Sequence, residues 1–213
     1  MSTPDPDPDC PSTPTTTGTE TYLSGGCHCG ANTYQLTLPA QPSPPFPLVD
    51  FDHCTSCRRT SGALLQAWII LPQSWAVFHI SSTFDQSHTV YASSVVTAGA
   101  LRKELGGGEP KSLVHYASSP GVSRAFCARC GTHLVYSRVY EEREAGDGPE
   151  GEGDGEDFVG VSLASLDKDS LERAPRPLQH TWWGDGVPWL KEMIAKGCEE
   201  GGIGAMEKLE GYQ

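Results

Sequence analysis

Three close cysteine pairs constrain this chain more than any other feature of its sequence. They are the C-x-C pair Cys27/Cys29 and the C-x2-C pairs Cys54/Cys57 and Cys127/Cys130. On a tight turn, such spacing directs two sulfurs at one ion about 2.3 Å away, as a tetrahedral zinc site requires. Zinc is favoured over disulfides because short C-x2-C loops rarely form structural bridges. The sequence therefore predicts a fold held together by metal.

Spacing alone does not divide six thiolates between sites, since one ion can take four of them or two ions can take three each. The flanking glycines favour one closed site of four. Gly30 follows the first pair and Gly131 follows the third, and each permits a positive-φ turn that directs backbone N–H groups at sulfur. These two turns are predicted to form one structural zinc site, with ligands Cys27, Cys29, Cys127 and Cys130. Cys54 and Cys57 remain as the core of a second site.

Apolar patterns predict short β-strands through most of the chain. The predicted strands are residues 31–38, 64–71, 75–80, 88–92, 113–117, 133–139 and 158–163. A turn at 72–74 is expected to join the second and third of these as antiparallel neighbours. After Pro188, apolar residues at helical spacing predict a short C-terminal helix that ends near Gly197. We expect a mainly β fold of antiparallel sheets in a single domain, because 213 residues with 37% hydrophobic content fill one core.

Polar segments bound and interrupt this domain. Residues 1–20 are rich in Pro, Thr, Ser and Asp, which predicts a disordered tail. Residues 141–157 hold nine acids and one arginine, and so account for −8 of the formal net charge of −12. Such a run predicts a mobile, solvated insertion. We therefore place the domain at 21–198 and a frayed tail at 199–213, and we expect Cys10 and Cys198 to bind no metal.

Composition argues against several classes of partner. Outside the acidic insertion the chain is only mildly acidic, and its 15 Lys and Arg residues form no cluster, so nucleic acid is not an expected partner. The sequence has neither a signal-peptide pattern nor a run of about 20 apolar residues, so a membrane is not expected either. We expect an intracellular protein located in the cytoplasm.

Five motifs occur in order along the chain. They are GCHCG at 26–30, HCTSCRRTSG at 53–62, RAFCARCG at 124–131, LASLD at 163–167 and HTWW at 180–183. Together they resemble the glutathione-dependent formaldehyde-activating enzyme family, which includes centromere protein V. The resemblance implies a zinc-stapled, β-tent-like domain in which the first and third cysteine pairs hold a structural zinc. It also implies a second, catalytic zinc held by a C-x-C-x2-C element, but here Asp52 stands in place of that element's first cysteine.

Asp52 is predicted to complete the second site with Cys54 and Cys57. A carboxylate is an accepted zinc ligand, and three protein donors leave a position open for substrate, as in catalytic sites. Because a carboxylate donates less charge than a thiolate, we expect this zinc to be held less tightly and to be only partially occupied on purification. The alternatives are that His53 supplies the third donor, that Asp52 only caps the following turn, or that the pair binds no metal.

The resemblance implies an enzyme that combines glutathione and formaldehyde to S-hydroxymethylglutathione, a reaction classed with the carbon–sulfur lyases. Its predicted catalytic residues are Cys54, Cys57 and Asp52. Arg58 or Arg59 would bind a carboxylate of a peptide-like thiol through the planar guanidinium, and His180 is a further pocket residue. The partner would be a small thiol or thiol–aldehyde adduct. The alternative is a non-catalytic, zinc-stabilised binding module related to centromere protein V, which an empty second site would favour.

Overall fold

The computed structural model describes residues 19–42, 46–81, 88–92, 96–97, 112–138, 158–197 and 207–208. Most of the predicted N-terminal tail and the whole acidic insertion lie outside these residues, as do Cys10 and Cys198. No helix in the described ranges is long and apolar enough to cross a membrane. The described part of the chain is mainly β, as predicted.

Twelve strands and three α-helices are present in the described residues. The strands are β1 (Thr21–Gly26), β2 (Asn32–Leu38), β3 (Leu48–Asp52), β4 (Gln66–Pro72), β5 (Ala76–Ser81), β6 (His88–Ala92), β7 (Leu113–Ser119), β8 (Val122–Cys127), β9 (His133–Arg138), β10 (Phe158–Ser162), β11 (Gln179–Thr181) and β12 (Glu207–Lys208). The helices are α1 (Thr55–Ser61), α2 (Lys168–Arg173) and α3 (Pro188–Gly197). Short 3-10 turns lie at Gln73–Trp75, Leu163–Ser165 and Trp183–Asp185.

The strands form two sheets. The smaller has the order β1-β2-β5-β6, and the larger has the order β12-β11-β3-β4-β10-β9-β8-β7. All pairs are antiparallel except those of β11, which runs parallel to both β3 and β12. The larger sheet is therefore mixed, which corrects the expectation of purely antiparallel sheets. An apolar pattern identifies a strand but carries no information about the direction of its neighbour, and β11 is too short to show a pattern at all.

The core lies between the sheets, and β4 is buried on both of its faces. Leu36 and Phe78 of the smaller sheet belong to one apolar cluster with Ile69 of β4. Trp68 and Ile70, which alternate with the residues of that cluster, belong to a second cluster on the opposite face of β4. Helix α1 contributes to this second cluster, so the face of the larger sheet away from the main core is the one that supports α1.

Several sequence expectations need correction. The strands predicted around 64–71 and 75–80 exist as β4 and β5, but they lie in different sheets and are joined by a 3-10 turn rather than paired. The sequence also missed β1, β3, β8, β11, α1 and α2. The C-terminal helix was predicted correctly, although only Leu190 and Ile194 face inward while Trp189 and Met193 are exposed. The segment expected to fray includes Glu207–Lys208, which pairs with β11 as β12.

Candidate metal centres

The turn between β1 and β2 and the turn between β8 and β9 bring four cysteine sulfurs together. We call this group, Cys27, Cys29, Cys127 and Cys130, the first centre; its sulfurs all lie within 4.8 Å of one another. The Sγ–Sγ distances are 3.6 Å from Cys27 to Cys29 and 3.7 Å from Cys29 to Cys127. Tetrahedral zinc with bonds of about 2.3 Å places its sulfurs about 3.8 Å apart. All four thiols are free of disulfides, and these two distances match the spacing that a tetrahedral metal ion requires.

The two turns of the first centre have the same backbone conformation. Gly30 and Gly131 have φ values of 74° and 75°, the left-handed conformation expected from the sequence. The N–H of each glycine donates to the carbonyl oxygen of the first cysteine of its pair, at 2.9 Å in both turns. In the first turn the N–H of Asn32 donates to the Cys27 sulfur at 3.2 Å. Backbone dipoles therefore already face sulfur, as stabilisation of a thiolate requires.

Hydrogen bonds from polar side chains support the two turns of the first centre. The Thr132 hydroxyl accepts from the N–H of His28 at 3.1 Å and lies 3.2 Å from the Cys130 sulfur, so it bridges the two turns. The buried Asn32 amide donates to the Ser112 carbonyl and accepts from the Ser112 hydroxyl, at 2.9 and 2.8 Å. Sequence reasoning missed these residues. Thr132 follows a cysteine–glycine turn and could have been suspected, but no local signal marks Ser112.

The thiols of the first centre differ in proton affinity. Burial raises the pKa of Cys127 to about 12. Burial also acts to raise the pKa of Cys130, but hydrogen bonds from the Thr132 hydroxyl and from the backbone outweigh it and lower the pKa to about 6. The metal-free protein at neutral pH therefore has a proton on Cys127 and a thiolate on Cys130. A metal ion must displace the Cys127 proton to bind.

The second centre consists of Asp52, Cys54 and Cys57, whose ligand atoms lie within 4.8 Å of one another. Asp52 ends β3, Cys54 is the N-cap of α1, and Cys57 lies in the first turn of that helix. The Cys57 N–H donates to the Cys54 sulfur at 3.2 Å. The pair was expected on a tight turn like those of the first centre. It lies at a helix start instead, because the Cys54 sulfur caps an N–H that the helix itself leaves without an acceptor.

The Asp52 carboxylate has one oxygen committed to the backbone and one directed at sulfur. Oδ1 accepts from the Cys54 N–H at 2.7 Å, which is the capping contact considered as an alternative to metal binding. Oδ2 accepts from the Cys57 thiol at 3.0 Å. The first bond fixes the carboxylate without occupying Oδ2, so capping and metal binding are compatible. A tetrahedral zinc would place Oδ2 and a ligating sulfur about 3.6 Å apart, so the second centre must open slightly to take an ion.

The three ligand residues of the second centre differ in their exposure to solvent. Cys57 is 1% exposed and Asp52 is 5% exposed, whereas Cys54 is only half-buried. The hydrogen bond between the two thiols lowers the pKa of Cys54, and the same bond together with burial raises the pKa of Cys57. The metal-free protein therefore keeps its proton on the inner thiol. An incoming ligand would approach past Cys54.

The His53 and His180 side chains form a buried pair beside the second centre. His53 Nε2 lies 2.8 Å from His180 Nδ1, and both rings are fully buried. Rings of Phe51 and Trp183 pack against this pair. His53 is absent from the group of ligand atoms that includes Asp52, so it does not supply the third donor in this arrangement. The proposed contact of His180 with substrate stays a prediction, and the His180 side chain is fully buried in this structure.

The two predicted arginines lie in the last turn of α1. Arg59 is exposed and Arg58 is half-buried, with a buried Nε that has no hydrogen-bond partner. Both follow the second centre directly in sequence. Their predicted contact with a substrate carboxylate stays a prediction.

Sequence reasoning missed a third arginine that does contact the second centre. Arg124 of β8 donates from Nη1 to the Cys57 sulfur at 3.2 Å. Its guanidinium carbon lies 5.5 Å from the centroid of the Tyr136 ring on the neighbouring strand. In the sequence, Arg124 belongs to the motif that contains the third cysteine pair. That motif gives no indication that the Arg124 side chain contacts the second centre.

Comparison with known proteins adds no assignment. No model of a known protein family matches this chain, and no curated protein sequence matches it. The likeness of its motifs to the formaldehyde-activating enzymes stays a prediction. The chemistry of the chain must therefore be inferred from its two groups of ligand atoms.

Proposed function

We propose that this protein is a zinc-dependent enzyme of the carbon–sulfur lyase type that acts on a thiol–aldehyde adduct such as S-hydroxymethylglutathione. The observation that carries the proposal is the group of three ligand atoms from Asp52, Cys54 and Cys57. Three protein donors are characteristic of catalytic zinc, because the fourth position then takes water or substrate. The first centre offers four thiols and would be closed. It would act as the structural zinc that ties the turn after β1 to the turn after β8.

The donor atoms of the two centres fit a structural zinc in the first centre and a catalytic zinc in the second. Four sulfurs within 4.8 Å of one another suit a tightly held structural ion. A carboxylate beside two thiols suits an ion that is held less tightly and is more Lewis acidic. The resemblance of the cysteine motifs to the formaldehyde-activating enzymes supports the same division and suggests the substrate class.

The reaction joins a thiol to an aldehyde, and its reverse cleaves the adduct. The thiol sulfur bonds to the carbonyl carbon, and the thiol proton is transferred to the carbonyl oxygen. Zinc bound at the second centre would supply a lowered pKa for the thiol and polarisation of the carbonyl. Asp52 would be oriented for ligation by its bond from the Cys54 N–H. The buried Cys57 would exclude water from the inner side, and substrate would enter past the half-buried Cys54.

The negative charge of glutathione is complementary to the two arginines in the last turn of α1. Glutathione has two carboxylates, and Arg58 and Arg59 follow Cys57 directly. A guanidinium binds a carboxylate through two parallel hydrogen bonds, which would orient the peptide as well as attract it. The exposed position of Arg59 leaves it free to adopt such a geometry.

The test measures metal content and exchange together. NMR exchange spectroscopy would follow interconversion of formaldehyde and S-hydroxymethylglutathione with the zinc-loaded protein. We expect the parent to hold two zinc ions and to accelerate exchange above the spontaneous rate. Asp52→Ala should keep one zinc and lose more than about 10-fold of that acceleration. The exposed neighbour variant Ser56→Ala serves as the control and should match the parent.

Three other outcomes would contradict parts of the proposal. A parent with two zinc ions and no acceleration would refute the enzymatic function and leave a non-catalytic, zinc-stabilised module. A parent with one zinc, in the first centre, would refute the second metal centre. Asp52→Ala with two zinc ions and full activity would show that the carboxylate only caps α1.

A further inference from the structure

Arg124 is a buried charge on the face of the larger sheet that supports α1. Its side chain is 5% exposed. A guanidinium stays protonated in proteins, so burial cannot be relieved by loss of the proton and must be offset by a negative group. The structure shows no salt bridge between Arg124 and a carboxylate of the described residues. Its Nε has no hydrogen-bond partner, Nη1 donates to the Cys57 sulfur, and the guanidinium lies over the Tyr136 ring.

A neutral thiol is a poor partner for a buried cation, since sulfur in an S–H group is a weak acceptor. A thiolate is a charge-assisted acceptor and a much better partner. Cys57 would become a thiolate when the second centre binds a divalent ion. A metal-bound Cys57 is therefore a stronger hydrogen-bond partner for Arg124 than a free thiol is.

Binding of a divalent ion would leave the charges around Arg124 balanced. Two thiolates and one carboxylate contribute −3, and a divalent ion contributes +2, which leaves −1 at a buried site. The guanidinium of Arg124 contributes +1 at 3.2 Å from one of the ligand atoms. The second centre with its ion and Arg124 is then neutral, which avoids the cost of a buried net charge.

We propose that Arg124 is a positioning residue of the second metal centre, which holds the Cys57 thiolate in place and withdraws charge from its sulfur. The inference rests on the proposed function for its metal centre only, and does not depend on the substrate. Hydrogen bonds to the ligands of a metal orient those ligands and tune the metal. By weakening sulfur donation, Arg124 would keep the bound ion electron-poor and so favour its action as a Lewis acid.

The test is cobalt substitution of the full chain, because cobalt reports both occupancy and sulfur donation. A Cys57→Ser variant, with cobalt in the first centre only, allows subtraction of that centre's spectrum. Arg124→Met should weaken cobalt binding at the second centre by about 10- to 100-fold. It should also shift that centre's thiolate-to-cobalt charge-transfer band to longer wavelength, because a thiolate without its hydrogen bond gives up an electron more easily. Arg124→Lys, which keeps the charge, should recover part of the lost cobalt affinity and should shift the band less than Arg124→Met does.

Control variants separate this role from a loss of packing. Arg138→Met removes an exposed guanidinium from the end of β9 and should leave both centres unchanged. The four-sulfur spectrum of the first centre shows in every variant whether the fold is intact. If Arg124→Met does not fold, Arg124→Gln, which keeps a hydrogen-bond donor but loses the charge, decides the question, because a Gln variant equal to the parent in both band position and affinity refutes the role.

The outcomes distinguish this inference from the proposed function. Two bound cobalt ions, an active zinc form and an unchanged Arg124→Met spectrum and affinity would refute the inference and leave the enzyme proposal intact. Two cobalt ions, a shifted Arg124→Met band and no activity would support the inference and refute the enzyme. A parent that binds a single cobalt ion would refute the second centre and the role of Arg124 with it.

Discussion

Replacing Cys127 by Ser tests whether the first centre holds distant parts of the chain together. Cys29 and Cys127 are 98 positions apart in sequence, yet their sulfurs lie 3.7 Å apart. A shared ion closes that long loop much as a covalent cross-link would. Closing a loop of about 100 residues removes unfolded-state entropy worth about 4.7 kcal/mol. Because a domain of ordinary stability unfolds at a cost of about 5–15 kcal/mol, this loss alone removes a large share of the total.

Local effects at the substituted position add to the loss. Cys127 is 1% exposed, so a serine hydroxyl is placed where an unpaired polar group costs about 1–3 kcal/mol. That cost is reduced here, because the Arg129 N–H that donates to the Cys127 sulfur at 3.4 Å can donate to a serine oxygen. The larger part of the loss would come from zinc itself, because binding of a structural zinc contributes about 10 kcal/mol or more to folding. We therefore expect Cys127→Ser to lose at least about 5 kcal/mol and to be largely unfolded or insoluble.

The assay is urea unfolding followed by tryptophan fluorescence, with zinc content measured on the same samples. Cys10→Ser is the matched control, because it changes a cysteine outside both centres, and it should behave as the parent. Treating the parent with a strong chelator should reproduce the effect of the substitution. If Cys127→Ser unfolds within about 1 kcal/mol of the parent and retains the same zinc, the first centre does not staple the fold.

Two further predictions follow from composition and from the cysteine pKa values. Deleting residues 1–18, or shortening 141–157, should change the free energy of unfolding by less than about 1 kcal/mol and leave the zinc content unchanged, because both segments have very few apolar residues to bury. Urea unfolding checks this, and a loss above about 2 kcal/mol would show that the segment packs. Zinc affinity at the first centre should rise about 10-fold or more per pH unit between pH 6.5 and 8.5, because the Cys127 pKa of about 12 keeps a proton that zinc must displace. Competition with a chromophoric chelator measures this, and an affinity independent of pH would contradict it.

The elements found from sequence are those with a pattern of their own. Strand β2 alternates buried and less buried positions along its whole length. Helix α3 begins at Pro188, a residue that favours the first turn of a helix, and it presents apolar residues at helical spacing. In both cases burial by the rest of the protein follows the local pattern. Local sequence is then enough to identify the element.

Helix α1 was missed because its stability comes from its ends. Its sequence, TSCRRTS, has no apolar stripe, and Cys57 is its one buried residue. At the start, the Cys54 sulfur accepts from the Cys57 N–H at 3.2 Å. At the end, Gly62 has a φ of 70° and donates to the Arg58 carbonyl at 3.1 Å. The C-x2-C spacing suggests a metal turn as readily as a capped helix, so the sequence could not decide between them.

The ligand groups were predictable and their surroundings were not. Cysteine spacing and the two glycines were enough to group the sulfurs of the first centre. One of the residues that support that centre, Ser112, lies 80 positions from its hydrogen-bond partner Asn32. Arg124 likewise lies 67 positions from Cys57, and its side chain reaches the Cys57 sulfur from β8. Contacts of this kind depend on sheet order, which no local pattern records.

Aspartate at position 52, where the family resemblance implies a cysteine, would conserve the charge of the second centre. Three thiolates and a divalent ion would give −1, and two thiolates with the Asp52 carboxylate give the same value. Arg124 would therefore balance either ligand set, and the exchange need not disturb the buried guanidinium. What changes is the donor, since a carboxylate oxygen gives less charge to the ion than a thiolate sulfur. A carboxylate at position 52 would therefore change the Lewis acidity and the affinity of the bound metal without leaving an unpaired charge in the protein. This charge balance explains how a carboxylate can stand beside two cysteines.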